Sequence, residues 1–308
     1  MDFDLIIIGG PTASGKSALA LELARLYNGE IINCDSMQLY KTLDIGTAKP
    51  TAAERAEIPH HLLDIYDISE RSDVYKFRRM ALDCIAEILN RKKLPVLVGG
   101  SGFYLKALTD GLDDLPGGIE LRKKLDLEFD GDENFDKLRA VMAQKDPAAL
   151  EKFNNHQRKL IRALEVFELT GKSILELQKN TPEPFPYKYK FITILPDREL
   201  LKQKIRLRAG IMLDQGWINE ADNAIKNGLL NTPTAHQALG YAEIGKFING
   251  DFTREQLIES ISTKTWQFAR RQYTWFRHQH PESIIISTPE DMDFFRKILD
   301  DNQQEKNL

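Results

Sequence analysis

The segment Gly10-Pro11-Thr12-Ala13-Ser14-Gly15-Lys16-Ser17 follows the apolar run Leu5-Ile6-Ile7-Ile8 and fits the G-x-x-x-x-G-K-[ST] pattern of a phosphate-binding loop. A buried strand that ends in such a turn aims several backbone N–H groups at one anion, and a helix starting near Lys16 adds the positive end of its dipole. Lys16 is expected to reach a terminal phosphate oxygen, and the Ser17 hydroxyl to hold Mg²⁺. The pattern specifies a polyphosphate ligand without specifying ATP.

The order of elements around this loop predicts an α/β fold. Leu5–Ile8, Glu30–Asn33 and Pro95–Val98 read as short buried strands, separated by helical spacing over Lys16–Tyr27 and Val74–Asn90. Strands alternating with helices imply a parallel sheet. A second glycine turn, Gly99-Gly100-Ser101-Gly102, precedes a helical stretch at Phe103–Leu108 and is expected beside the first loop at the carboxyl edge of the sheet. From Asp110 to about Thr181 only helices are expected, at Leu121–Phe129, Phe135–Gln144 and Ala148–Thr170, with Pro182, Pro184 and Pro186 marking the exit. A strand returns at Phe191–Leu195. Helices follow at Arg198–Gln215, Ile218–Asn227, Ala235–Phe247 and Arg254–His278, then an edge strand at Ser283–Ser287. The expected organisation is a core of residues 1–110 and 190–290, an inserted helical subdomain at 111–189, and a flexible tail at 300–308.

Composition removes several function classes. With 42% hydrophobic residues in 308, the chain can bury a sizeable core, yet no segment approaches the roughly 18 apolar residues of a membrane span. The acidic start Met1-Asp2-Phe3-Asp4 runs straight into a strand and does not read as a signal peptide. Two cysteines, Cys34 and Cys84, cannot build a disulfide framework or zinc ribbon, so a cytoplasmic setting is expected. A net charge of −4 argues against indiscriminate coating of nucleic acid and leaves room for a local basic face.

Two further constellations carry chemistry. Asp35-Ser36-Met37-Gln38 opens at the same sheet edge as the phosphate loop, so Asp35 reads either as a helix cap or an outer-sphere neighbour of Mg²⁺, or as a general base beside a phosphate leaving group. Basic and aromatic residues interleave at Lys264, Trp266, Arg270, Arg271, Trp275, Phe276, Arg277 and His278, with Gln157, Arg158, Lys159 and Arg162 in the insertion. Such interleaving fits phosphate contacts with stacking on unpaired bases, and equally a solvated helix face backed by a buried aromatic stripe.

The order of seven motifs decides between these readings. The phosphate loop, Asp35–Gln38 with Thr47-Ala48-Lys49-Pro50, Pro59-His60-His61-Leu62-Leu63-Asp64, Gly99 to Tyr104, Gln157-Arg158 through Val166, Leu239-Gly240-Tyr241 and Arg271 to Arg277 resemble the tRNA dimethylallyltransferase family over about residues 5–277. The resemblance implies a P-loop NTPase-like core and transfer of a dimethylallyl group from dimethylallyl diphosphate to the exocyclic amine of the adenosine 3′ of the anticodon, with Mg²⁺. It implies that Gly10, Pro11, Thr12, Ala13, Ser14, Gly15, Lys16, Ser17 and Arg208 hold the diphosphate, and that Asp35 and Ser101 are catalytic. Ser36, Met37, Gln38, Lys123, Gln157, Arg158, Lys159, Leu160, Ile161, Arg162 and Arg271, with Asp35 and Ser101, are then expected to grip tRNA. Ser101 stands where the family has threonine, Trp266 where it often has arginine, Leu239 where isoleucine is usual and Ala242 where lysine is usual. The chain ends without the zinc-finger extension of some eukaryotic members, which fits a bacterial-type enzyme expected to act as a monomer. A small-molecule kinase, and a nucleotide switch or nucleic-acid-binding module, are the rival readings of the first hundred residues.

Overall fold

The structure is a computed structural model that describes residues 2–113, 115–129, 131–178, 185–280, 282–288 and 295. The chain divides into two compact units, Met1–Thr109 with Pro186–Leu308, and Asp110–Phe185.

The first unit is built on a parallel six-stranded sheet in the order β3-β2-β4-β1-β5-β6. Its strands are β1 (Leu5–Gly9), β2 (Gly29–Asn33), β3 (His60–His61), β4 (Leu94–Gly99), β5 (Tyr189–Ile194) and β6 (Ile284–Ile286). Strand β1 pairs with β4 through Ile7 and Leu97, and with β5 through Ile7 and Phe191. Every residue of β1 and β2 is buried, as expected of parallel strands covered on both faces. Central placement of β1 puts the phosphate loop in the middle of the sheet's carboxyl edge, with the turn after β4 next to it.

Helices α1 (Lys16–Leu26), α2 (Ala52–Glu57), α3 (Val74–Asn90) and α4 (Gly102–Thr109) connect these strands, and α10 (Arg198–Asp214), α11 (Trp217–Lys226), α12 (Tyr241–Ile248) and α13 (Arg254–Gln279) follow β5. Leu19, Leu23 and Ala24 of α1 pack on Ile6, Ile8, Ile31 and Val96 of the sheet. At about 1.5–3 kcal/mol per buried aliphatic side chain, this face supplies much of the drive that holds α1 against the strands.

The second unit contains only helices among its described residues: α5 (Ile119–Phe129), α6 (Phe135–Lys145), α7 (Pro147–Phe153), α8 (Gln157–Thr170) and the short α9 (Ile174–Leu177). Leu125, Phe129, Leu138, Met142, Leu160, Ile161 and Leu164 form its core. Glu165 is buried there and accepts from Gly118 N–H at 3.0 Å and Arg162 at 2.7 Å, with Arg122 at 3.5 Å.

Several expectations are corrected. The single helix expected at Ala148–Thr170 is two, α7 and α8, because Asp146 and Pro147 start the first and Arg139 takes the Asn154 carbonyl at 3.0 Å, drawing the chain out of helical register. The helix expected at Ala235–Phe247 is a 3₁₀ turn at Ala235–Gln237 followed by α12, interrupted at Gly240. Helix α2 was not anticipated, although Thr51 and Glu54 form a capping box that is a recognised start signal. The two-residue strand β3 is too short for any periodicity to reveal. The expected tail at 300–308, and Pro182 and Pro184, lie outside the described residues.

Gly240 has φ near +91°, and a Cβ there would meet the Trp217 ring at 2.3 Å. Gly240→Ala combines left-handed strain with overpacking and should lower unfolding stability by roughly 1–3 kcal/mol. Chemical denaturation measures this; an unchanged midpoint would contradict the close packing of Gly240 on Trp217.

Candidate active site

The site forms where β1, β2 and β4 end, entirely within the first unit. The phosphate loop leaves β1 and closes into α1, and Ser14 within it is fully buried with no partner for its Oγ. A buried hydroxyl with no protein partner costs free energy unless a ligand supplies one. Lys16 folds back over the loop, its Nζ donating to the Pro11 carbonyl at 2.6 Å. Burial lowers the Lys16 pKa to about 7, against the pull of Asp35 and with a further push from Arg208. Arg208, on α10, is itself lowered by burial and held up by Asp35. Two cations and one carboxylate thus share one pocket, with one positive charge in excess when Lys16 is protonated. An anion answers that excess.

Asp35 follows β2. Asn33 Oδ1 accepts from Asp35 N–H at 3.0 Å and Asn33 Nδ2 donates to the Asp35 and Leu62 carbonyls at 3.1 and 2.9 Å. One carboxylate oxygen, Oδ1, accepts from Met37 N–H at 2.9 Å and closes the turn. No helix starts at Asp35, so its side chain closes a turn through one oxygen rather than capping a helix, and the residue lines both cavities of the site. Ser101, after β4, accepts from Ser36 N–H at 3.0 Å and donates to Ser36 Oγ at 3.3 Å. Ser36 and Ser101 are thereby fastened together beside Asp35. Gln38 donates to the Thr47 and Ala48 carbonyls at 3.0 and 3.1 Å, and Glu220 accepts from the N–H groups of Asp44, Ile45 and Gly46 at 2.7–2.9 Å. These bonds fix the loop that forms the opposite wall.

Two cavities meet here. One, of about 460 Å³, is lined by the phosphate loop from Thr12 to Ser17, Lys204 and Arg208. The other, of about 310 Å³, is walled by Ile205, Met212, Trp217, Leu239 and Phe268, with Arg271 also lining it. Thr12, Ala13, Asp35, Thr47 and Arg208 belong to both. A cavity lined by the phosphate loop and a more apolar one therefore share a carboxylate and a guanidinium at their junction.

The basic and aromatic residues of α13 separate by role. Phe276 is fully buried and cannot stack on a base, whereas Trp266 is half-buried against Leu201, Ile205 and Ala269. Lys264 is paired with the buried Glu243. Arg270, Arg271, Thr274, Trp275 and His278 line an open groove. In the second unit the expected grip residues also divide. Leu160 and Ile161 are core residues, Gln157 donates to the Phe129 and Gly131 carbonyls at 2.6 and 2.7 Å, and Arg162 holds Glu165 and the Leu115 carbonyl. Their side chains are engaged in the fold, because the helix start at Gln157 faces its own core. Arg158 and Lys159 are exposed, as is Lys123, which pairs with Glu120 at 3.0 Å.

Sequence reasoning passed over Asn33 and Gln272. Gln272 is buried, accepts from Thr12 N–H at 2.9 Å and donates to the Gly100 carbonyl at 2.9 Å. Its signal was its place on the buried stripe Ala269, Gln272, Phe276, where an amide is out of keeping with its neighbours.

The IPP transferase family matches residues 38–279. A tRNA dimethylallyltransferase of Corynebacterium diphtheriae is 40% identical over 273 residues, which is 88% of this chain and 90% of that one. The full-length tRNA isopentenylpyrophosphate transferase of Bacillus halodurans superposes with a TM-score of 0.69 at 34% identity, covering 98% of this chain and 96% of that one. A eukaryotic dimethylallyltransferase acting on tRNA gives a TM-score of 0.75 at 28% identity over 95% of this chain and 75% of that one.

In the unfolded chain Lys16 titrates near 10.5, whereas in the folded chain burial brings it to about 7. Across that window the unfolded state holds a proton that the folded state lacks, so this group makes stability rise with pH, and its cost is largest below the window. Lys16→Met should remove the slope. Denaturation midpoints of the wild type should therefore gain on those of the variant as pH rises from about 7 to about 10; parallel curves would contradict the burial of the ammonium.

Proposed function

The chain belongs to the IPP transferase family, and from that premise we infer that it acts as a tRNA dimethylallyltransferase. It moves the dimethylallyl group of dimethylallyl diphosphate onto the exocyclic amine of the adenosine 3′ of the anticodon and releases diphosphate. The observation that carries the reading is the junction at Asp35 and Arg208 of a phosphate-loop cavity with an apolar one. Such a junction holds a diphosphate on one side and the reacting carbon beside it. A small-molecule kinase gains no support from the relatives.

In this reading the diphosphate lies in the phosphate loop, where Ser14 Oγ gains the partner it lacks and Lys16 turns from the Pro11 carbonyl to the anion. Lys16 and Arg208 offset the charge that grows on the leaving oxygen as the carbon–oxygen bond breaks. The exocyclic amine of an adenine is a weak nucleophile, its lone pair drawn into the ring. As the carbon–nitrogen bond forms, the nitrogen becomes acidic and the Asp35 carboxylate takes its proton. Ser101, fixed by Ser36, orients the amine. The base reaches this point flipped out of the anticodon loop.

Among the described residues no cluster of three acidic, histidine or cysteine side chains could hold a metal. A hard hydroxyl in the phosphate cavity suits Mg²⁺, which keeps several waters and takes substrate phosphate oxygens as ligands. Ser17 would hold the ion, which when bound supplies further neutralisation of the leaving diphosphate. Arg271, Arg158, Lys159 and Lys123 are the exposed cations proposed to meet the tRNA backbone, with Ser36, Met37 and Gln38 around the flipped base. Among the described residues no helix is long and apolar enough to cross a membrane. We place the chain in the cytoplasm with its tRNA substrate, acting as a monomer because one unit contains both cavities.

With tRNA and isotope-labelled dimethylallyl diphosphate, label should enter tRNA with no ATP present; an ATP requirement or unlabelled tRNA would refute the function. Asp35→Asn keeps the Oδ1 acceptor for Met37 and loses the base, so turnover should fall roughly 10²–10⁴-fold while donor and tRNA affinities change far less. Normal turnover would assign the proton to water or to the departing diphosphate. For tRNA grip, Arg158→Ala should lower the slope of log affinity against log salt by about one. An unchanged slope would remove Arg158 from the interface.

A further inference from the structure

Helix α13 approaches the two glycine turns more closely than a side chain on either would allow. A Cβ at Gly9 would lie 2.4 Å from the Phe276 ring, one at Gly102 would lie 2.4 Å from Trp275, and one at Gly100 would lie 2.4 Å from Gln272 Nε2. Gln272, Trp275 and Phe276 share one face of the helix at i, i+3 and i+4, so a single face of α13 seats against three glycines. Two of the three contacts are aromatic packing. The third is an amide that bonds both turns at once, accepting from Thr12 N–H with one atom and donating to the Gly100 carbonyl with the other.

That geometry separates Gln272 from a residue that only fills space. Thr12 begins the loop proposed to hold the leaving diphosphate, and Gly100 immediately precedes Ser101, which is fastened to Ser36 next to Asp35. The Thr12 N–H is consumed by Gln272 and is unavailable to an anion, so the amide shapes the loop without contacting the ligand. A carboxamide is also the chemistry the position demands. It must present one acceptor and one donor in a buried place, where an unmet N–H or carbonyl costs about 1–3 kcal/mol.

We propose that Gln272 is a positioning residue for the transfer reaction: by tying the phosphate loop to the Ser101 turn, it sets the separation between the leaving diphosphate and the attacking amine. The proposal rests on the function inferred above. In an in-line displacement the carbon moves from the leaving oxygen to the nucleophile over a short path, and a displacement of about 1 Å in either partner can cost 10²-fold. Gln272 acts on that distance through two backbone groups, one on each side.

The test uses Gln272→Met, which keeps volume and removes both hydrogen bonds, and Gln272→Glu, which keeps the acceptor and removes the donor. Single-turnover transfer to tRNA should fall roughly 10–100-fold in Gln272→Met, and Gln272→Glu should also be slowed. Donor and tRNA dissociation constants should stay within about threefold, since a loss confined to the transition state spares binding. The fraction of donor lost to water, with oxygen of water joining the carbon as diphosphate leaves, should rise relative to prenylated tRNA. A merely structural tie would not move that ratio in folded protein. Wild-type single-turnover rates in both variants, a loss confined to binding, or loss of folded protein in both would overturn the proposal. Absence of transfer by the wild-type chain would instead refute the function on which it rests.

Discussion

The seating of α13 on the turns after β1 and β4 is the constraint on which the rest of the site depends. A helix can lie that close to a sheet edge only where the edge carries no side chains, and Gly9, Gly100 and Gly102 supply that bare strip. Once α13 is seated, α10 follows through Leu201, Ile205 and Ala269, and α10 carries Arg208. The apolar cavity is what remains between these helices and the loop around Gly46 and Thr47. Its position against the phosphate loop is thus a consequence of packing.

The second determinant is electrostatic. Lys16 and Arg208 are both lowered by burial, and Asp35 raises both. Charges of like sign brought together in a half-buried pocket are a standing cost to the fold. In the proposed function an arriving diphosphate relieves that cost and is thereby selected over a neutral ligand. The same arrangement favours charge development on the leaving group, because the cations already face the place where it appears. Function and local instability have one origin here.

The parts of this account that were legible in the sequence share a physical property: they are local. The apolar run Leu5–Ile8 followed by a glycine turn, and the helical spacing of Phe77, Ala81, Ile85 and Ile88, depend on neighbours within a few residues, and the parallel sheet follows from their alternation. Helix α8 could be placed, yet its separation from α7 depends on Arg139 reaching Asn154 from another helix, which no window of sequence contains. The interruption at Gly240 depends on Trp217, more than twenty residues earlier. Within the site, the phosphate loop could be read residue by residue, because its pattern lies in eight consecutive positions after a buried strand. The Thr12–Gln272 bond spans 260 positions and could not. Arg162 and Gln157 also bond to groups of their own unit, Glu165 and the Gly131 carbonyl, contacts that residue type does not announce.

The proposed function puts leaving group and nucleophile in two cavities that meet at Asp35 and Arg208, which requires in-line displacement at the reacting carbon. Dimethylallyl diphosphate made chiral at its reacting carbon by deuterium reports this directly. Transfer to tRNA by the wild-type chain should proceed with inversion at that carbon. Retention, or racemisation through a free allyl cation that water or amine captures from either face, would contradict the arrangement.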